Sequence, residues 1–452
     1  GIGSGFINVA VSTLNPEVKS GIHNLIGSSF IELNPKHPDL NRKVNILAQY
    51  DGDAQAKALG VAVSAGISLG ASVAVTFVDP VIEAYLTSDS DVSTLKIESD
   101  IPWIIEARQN INKDGSFVES GAISQASASG GGIFSGTGSI ATAKNRPMVN
   151  AKAAVKGHLV IRNLTINALT YSLSSAETFG VSVGGVGMGA SVSTADSDGT
   201  VKATFATGTT GKNVETLYVK ATVNDNAYAT SVSGVGGVIS ANGSVANATA
   251  QTDSTAEITG SSTLTSQQID VESVARPMSL AEANGVSAGG LAVGASVATS
   301  TVKPTVKASV NANITSTILN VKAQKLTLDS ILNSNAEANA AAGALIGINA
   351  TVAKTYDETK VSATIGAGRT IESSQISVYA LNNSKQQAIT SNLVISAGGL
   401  ITIAVGGSEA RSTTDLETVA EVGNNTKIKQ RSVSTNSFSV EASTTIDQYA
   451  QT

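Results

Sequence analysis

A glycine-rich stretch recurs eight times along the chain, starting at Gly1, Gly60, Gly121, Gly180, Ser231, Gly285, Ala336 and Ser391. "GVSVGGVGMGASVSTA" (Gly180 to Ala195) and "GVSAGGLAVGASVATSTV" (from Gly285) show the pattern most clearly. Aligned on the small residue before the closing valine or isoleucine, Ala10, Ser72, Ser139, Ser191, Ser244, Ser296, Thr351 and Ala404 form one column. The last five steps are about 52 to 55 residues, and the first two about 62 and 67. A unit of that length cannot cover its own apolar faces and must stack on a neighbour, so the repeat predicts a solenoid rather than two or three globular domains.

The period within each unit is two. "LTINA" at Leu164, "LYVKA" at Leu217, "IDVES" at Ile269, "LTLDS" at Leu326, "ISVYA" at Ile376 and "FSVEA" at Phe438 alternate apolar and polar residues, as a half-buried strand does. In the glycine-rich stretches both alternating sets are apolar or tiny, which predicts a strand covered on both faces. A third short strand follows in "TVKATF" (Thr200), "TAEITG" (Thr255), "TVKASV" (Thr305) and "TKVSAT" (Thr359). Turn clusters such as "GTTGKN" (Gly208 to Asn213) and "VGNNTK" (Val422 to Lys427) separate the units. "NSNAEANAAAGALIG" (Asn333 to Gly347) has strong helix propensity, but its seven counterparts do not, and strand is predicted there.

Composition fits thin layers. Of 452 residues 43 are glycine, with only 4% aromatic and 14% charged residues, so the interior must be built from Ala, Val, Ile and Leu. The predicted fold is all-β, a parallel β-solenoid (β-helix) of about eight 50–67-residue repeats over residues 1–452, with the glycine-rich strand as an inner layer. One large coil per repeat would rise about 40 Å in all, and three small coils per repeat about 115 Å. One large coil is favoured. The longer early units, around "NPKHPDLNRK" (34–43) and "PWIIEARQNINKDG" (102–115, with the only tryptophan, Trp103), are predicted to protrude.

In-register stacking should produce ladders of complementary side chains. About eleven residues after each anchor, within two either way, lie Lys19, Glu83, Asn150, Lys202, Glu257, Lys307, Lys360 and Glu417, with like charges adjoining only at Lys307 and Lys360. The C-terminal "FSVEASTTIDQYAQT" read into the N-terminal "GIGSGFINVAVST" rebuilds a unit, so the chain reads as cut mid-repeat at both ends. That suits either a window of a longer protein or copies joined end to end, because an uncapped solenoid exposes strand edges that template addition.

Several kinds of chemistry find little support. A net charge of −6 without a basic cluster gives no source for nucleic-acid binding. Absence of cysteine removes disulfides, thiol catalysis and Cys-based metal sites. No run approaches a transmembrane helix, so no membrane insertion is expected. "GGVGMG" (Gly184 to Gly189) lacks the strand–loop–helix context of a nucleotide loop. His23, His37 and His158 define no triad, and Asp51/Asp53, Asp89/Asp91 and Asp196/Asp198 read as solvated turns rather than calcium loops. No catalytic, cofactor-binding or metal residue is assigned, and no enzymatic activity or cofactor is expected.

The tandem pattern "GVSVGG…GASVSTA…VKAT" with its "LTINA"-type strands resembles the repeat region of large bacterial exoproteins of the leukotoxin-type filamentous adhesin family. The resemblance implies a secreted or cell-surface β-solenoid exported by two-partner or autotransporter-like secretion. No secretion domain or outer-membrane barrel is recognisable, and no binding residue carries over. The expectation is a structural extracellular or bacterial-surface fibre subunit, whose partner is itself through end-to-end strand stacking. The alternatives are the shaft of a filamentous adhesin binding a host or matrix surface, and a polysaccharide-active β-helix enzyme.

Overall fold

The computed structural model describes residues 2–24, 27–33, 42–88, 93–208, 212–327, 332–396, 403–431 and 436–452. Among them the chain is strands joined by turns, without a helix. Each copy of the repeat pairs in parallel with the next, residue against equivalent residue. Leu159–Ser197 lies between Ala122–Asn145 and Lys212–Ala250, and the latter pairs on with Gln268–Val302. The alanine-rich segment is the strand Ser334–Asp357. Its neighbours on both sides bond to its backbone, and a helix there would leave both ladders open.

Ser72, Ser139, Ser191, Ser244, Ser296 and Thr351 do occupy one column. The end members differ: Asn8 rather than Ala10 faces Ser72, and Ser408 rather than Ala404 faces Thr351. These slips of two and four residues preserve inward and outward alternation, so the period-two pattern alone could not expose them. Leu326 likewise is not in the column of Leu164, Leu217, Ile269 and Ile376; Leu319 is.

Each copy encloses two compartments of different chemistry. The first, mainly aliphatic, is filled by large apolar side chains in continuous columns, such as Trp103, Leu164, Leu217, Ile269, Leu319 and Ile376. It faces Ile82, Val149, Val201 and Val306 across the interior. At roughly 1.5–3 kcal/mol for each fully buried large side chain, this compartment supplies most of the apolar stabilisation.

The second compartment is a thin fin made by the glycine-rich stretches. Among the described residues, the six stretches that start from Gly60 to Ala336 run outward, reverse and return, so that Gly180 faces Ser191 within one copy. Its interior is alanine and serine, including Ala126, Ala141, Ala176, Ala229 and Ala246. At the reversal, a Cβ on Gly184, Gly237 or Gly289 would strike the carbonyl of Gly132, Gly184 or Gly237 in the preceding copy. At these three levels backbone sits directly above backbone and leaves no room for a Cβ, whereas the next copy carries Ala344 in the same column.

Segment 102–115 divides. Trp103–Gln109 is wall strand, and Trp103, 1% exposed, sits between Val44 and Leu164 with its indole N–H donating to Ser99 Oγ at 2.9 Å. The tryptophan is therefore core, not a protrusion. What leaves the wall is a short excursion from Asn110 to Phe117, turning through left-handed Asn110 (φ 52°) and Gly115 (φ 85°) and closed by the antiparallel bridge Ile111–Phe117. Of segment 34–43, residues 34–41 lie outside the described residues.

Candidate functional site

The outer wall of the aliphatic compartment carries a graded ladder: Glu106, Asn167, Lys220, Glu272, Lys322, Tyr379 and Glu441 stack in register. Asn167 Nδ2 donates to Glu106 Oε2 at 3.3 Å, and Lys220 Nζ lies 2.7 Å from Glu272. This ladder is visible in the sequence as the fourth residue of the "LTINA", "LYVKA" and "IDVES" strands.

The expected ladder is present only in part. Lys19 faces Glu83 at 3.4 Å, and Asn150 stands between Glu83 and Lys202. Lys202 faces Thr255 and reaches diagonally to Glu257 at 2.8 Å. Lys307 faces Thr255 and Ser362, whereas Lys360 faces Thr305 and Glu417, so the two lysines are not adjacent and the expected like-charge contact does not form. These pairs are part-exposed and screened by solvent, so they add little to stability.

Between the two compartments runs a buried polar septum that the sequence reading missed. It arises at a corner where the chain turns from the fin back to the aliphatic compartment. In four copies that corner holds Pro16, Pro80, Pro147 or Pro304, which have no N–H to satisfy. Three other copies hold Gly199, Thr252 and Thr359, and their N–H groups are satisfied by side chains. Gly199 N donates to Thr252 Oγ1 at 3.2 Å, Thr252 N to Asp225 Oδ2 at 2.8 Å, and Thr359 N to Asp357 Oδ1 at 3.3 Å. The recurring proline, at the same intervals as the copies themselves, was the available signal.

Septum carboxylates stay buried at a cost. Burial pushes the Asp225 carboxyl up to about 7, only partly opposed by hydrogen bonds from Ser197 and Thr252. Its Oδ1 has no hydrogen-bond partner among the described residues. Asp357 instead pairs with the fully buried Lys325, and Ser384 Oγ donates to the same carboxylate at 2.7 Å. Burial pushes the Lys325 ammonium down, and the attraction of Asp357 works against it. The septum is sealed from solvent, so it can fix register but cannot meet a substrate.

A corner groove of about 1160 Å³ crosses several copies, lined by Ser99, Arg162, Asn163, Glu215, Gln267 and Thr317 among others. Arg162 Nε lies 3.7 Å from Glu215, both more than two-fifths exposed, so neither has the desolvated environment that tunes a catalytic group.

The remaining candidate residues stay apart. His23 Nδ1 meets Thr87 Oγ1 at 2.7 Å, and His158 Nε2 lies 3.9 Å from Glu98, both at the surface; His37 lies outside the described residues. Asp51 and Asp53 accept bonds from Gln49 and Gln55, Asp196 accepts from Gln251 at 3.2 Å, and Asp89 and Asp91 lie outside the described residues. Among the described residues, no three His, Asp or Glu side chains could hold a metal ion. "GGVGMG" is the fin reversal, with strand on both sides.

The fin shows the opposite of the usual sidedness. Its interior serines donate to main-chain carbonyls across the gap: Ser68 Oγ to Ala62 O at 2.7 Å, Ser72 Oγ to Ser127 O at 2.7 Å, Ser287 Oγ to Val293 O at 2.9 Å, and Ser296 Oγ to Asn339 O at 2.7 Å. Each bond occupies a carbonyl lone pair left over from the ladder. Meanwhile Val61, Val183, Met188, Val238, Ile348 and Ile395 point outward and are exposed. No family model, curated protein or solved structure matches the chain.

Proposed function

We propose that the chain is a structural segment of an extracellular or bacterial-surface fibre, a parallel β-solenoid of eight repeats with one large coil each. The observation that carries this reading is the continuous residue-to-equivalent register from Asn8 through Ser191 to Ser408, at one parallel step per repeat. Such a stack resists bending because every step is secured by several parallel ladders at once. Eight levels rise only about 35–40 Å, so a fibre requires further levels.

The edges for them exist. Among the described residues, Gly3–Leu14 and Val44–Tyr50 pair only with the copy that follows, and Glu417–Val422 and Ser437–Gln451 only with the copy that precedes. A second molecule supplying strands of the same spacing satisfies those backbone groups. The resemblance to filamentous adhesin repeats agrees with this role, and the part-exposed polar corner groove favours, as a second reading, a shaft that also contacts a host or matrix surface.

Negative-stain microscopy over a concentration series is the test. A fibre subunit gives filaments that lengthen with concentration and whose X-ray fibre diffraction shows a meridional spacing near 4.8 Å. Discrete particles about 40 Å long at every concentration would remove the fibre reading.

A further inference from the structure

The fin presents an uncharged apolar sheet to solvent. Across Ala58 to Thr76, Ala126 to Ala143, Thr178 to Ala195, Ala227 to Ala250, Ala283 to Val302, Ala338 to Ala353 and Ala388 to Ser408 there is no Asp, Glu, Lys, Arg or His. Charges resume at once on the margins, at Lys57, Lys144, Glu177, Asp196, Glu282 and Lys354. Solvent-facing sheets normally carry polar side chains outward and apolar ones inward. Here serine and alanine face in, and valine, isoleucine, leucine and phenylalanine face out.

The returning face of the fin is the more continuous of its two faces. One column runs from Ile67 through Phe134, Val186, Ile239 and Leu291 to Ile346, large and apolar at every level. The neighbouring column runs Leu69, Gly136, Met188, Ala241, Val293 and Ile348, so that Met188 stands between two small residues. Met188 projects with 58% exposure, and a hollow of about 290 Å³ beside it is lined by Gly136, Ala190 and Ala241. A knob, Met188, and a shallow socket over Ala241 therefore lie one level apart at mid-height of the stack.

We propose that this returning face packs against the same face of a second copy of the chain, in a two-fold dimer that seats each Met188 in the socket over the partner copy's Ala241 column. A knob next to its own socket is what an isologous contact requires, because a two-fold between adjacent levels exchanges the two. A face of about seven levels by six residues spans roughly 30 by 20 Å, so a pair buries about 1,200 Å², the lower end of the range for specific complexes. Both faces share one strand spacing, and side chains of one sheet enter the grooves of the other as in dry sheet-on-sheet packing. The contact is lateral and does not depend on end-to-end stacking.

The absence of cysteine makes the test clean. Met188→Cys places the only thiol at mid-stack, about 15 Å or more from either end, out of reach of an end-to-end neighbour. The proposal expects a short bismaleimide to convert this variant to covalent dimers at micromolar concentration, while Val183→Cys on the opposite face stays uncoupled. At concentrations too low for filaments, sedimentation should give the parent chain twice its 45.5 kDa mass. Leu69→Lys, Met188→Lys and Ile346→Lys together should return it to a single mass, with an unchanged far-UV spectrum and a dissociation constant at least 100-fold weaker.

Filaments without Met188→Cys coupling would overturn the lateral contact while leaving the fibre reading intact. So would a parent chain that stays monomeric through the micromolar range, or a lysine variant that dimerises undiminished. A monomer that floats with phosphatidylcholine vesicles would assign the face to a lipid surface instead and equally overturn the proposal.

Discussion

The two compartments of each copy solve the same packing problem by opposite means. The aliphatic compartment is wide, and columns such as Leu164–Leu217–Ile269 fill it with branched side chains whose burial stabilises it directly. The fin is so narrow that its interior is mostly glycine, alanine and serine, with threonine, asparagine or valine at a few positions such as Thr351, Asn349 and Val235. It relies on close backbone approach and on serine hydroxyls bonded across the gap. One region is limited by how much volume is lost, the other by how much is added, and the septum between them deals with the N–H groups that the corner leaves over.

The contrast breaks most sharply in the aliphatic compartment. Trp103→Ala removes its biggest buried side chain and should cost about 4 kcal/mol in urea unfolding. In the fin the order reverses. Ser191→Leu, an enlargement, should cost about 3 kcal/mol by overpacking, and Ser191→Ala only about 1 kcal/mol for its bond to Val232 O. Equal losses for Ser191→Leu and Ser191→Ala would contradict the narrow-gap account.

Next comes the septum. Lys325→Ala leaves Asp357 buried without its cation and should cost about 3 kcal/mol. The preceding copy holds Ala275, Val302 and Pro304 at the positions of Lys325, Asp357 and Thr359. Installing that arrangement as Lys325→Ala, Asp357→Val and Thr359→Pro together removes the ion pair and the inward N–H at one stroke, and should recover most of the loss in the same unfolding assay. Failure of the triple variant to improve on Lys325→Ala would show that corner chemistry is not why the pair exists.

Asp225 gives a smaller, pH-dependent effect. Its carboxyl titrates near 7 in the folded chain and near 4 when unfolded, so the folded state holds the extra proton between those values. Stability from this group is therefore complete below about pH 4 and is lost as pH rises towards 7. Asp225→Asn, which can still accept from Thr252 N, should raise stability by about 2 kcal/mol at pH 8 and by nothing at pH 4. Thermal melts of both chains across that range read the difference directly. The smallest effect belongs to the outer wall, where Lys220→Ala should change stability by no more than about 0.5 kcal/mol, and less in high salt.

Much of the architecture was legible because repetition multiplies weak signals. Eight copies outvoted the helix propensity of Asn333 to Gly347, and six of eight anchor residues fell in their true column. Errors gathered at Ala10, Ala404 and Leu326, where copies vary in length and an even slip costs the pattern nothing. Trp103 reads as part of an insertion because an unusual residue in a longer unit suggests one, although "WIIEA" has the apolar alternation of "LTINA". The septum escapes a sequence reading because its members come from separate strands, Asp225 with Thr252 and Lys325 with Asp357, and only the coil brings them together. The outward apolar face of the fin reads as an inner layer, since both sets of the alternation are small or apolar and sequence alone does not say which one is covered.

The central claim is one stacked level per repeat, and a spin-label distance tests it most directly. Asn167 and Glu441 stand in one column five levels apart. Labels on Asn167→Cys and Glu441→Cys should therefore give a single narrow distribution near 24 Å. A distance near 70 Å, as three small coils per repeat would impose, or a broad distribution with no dominant peak, would contradict the account.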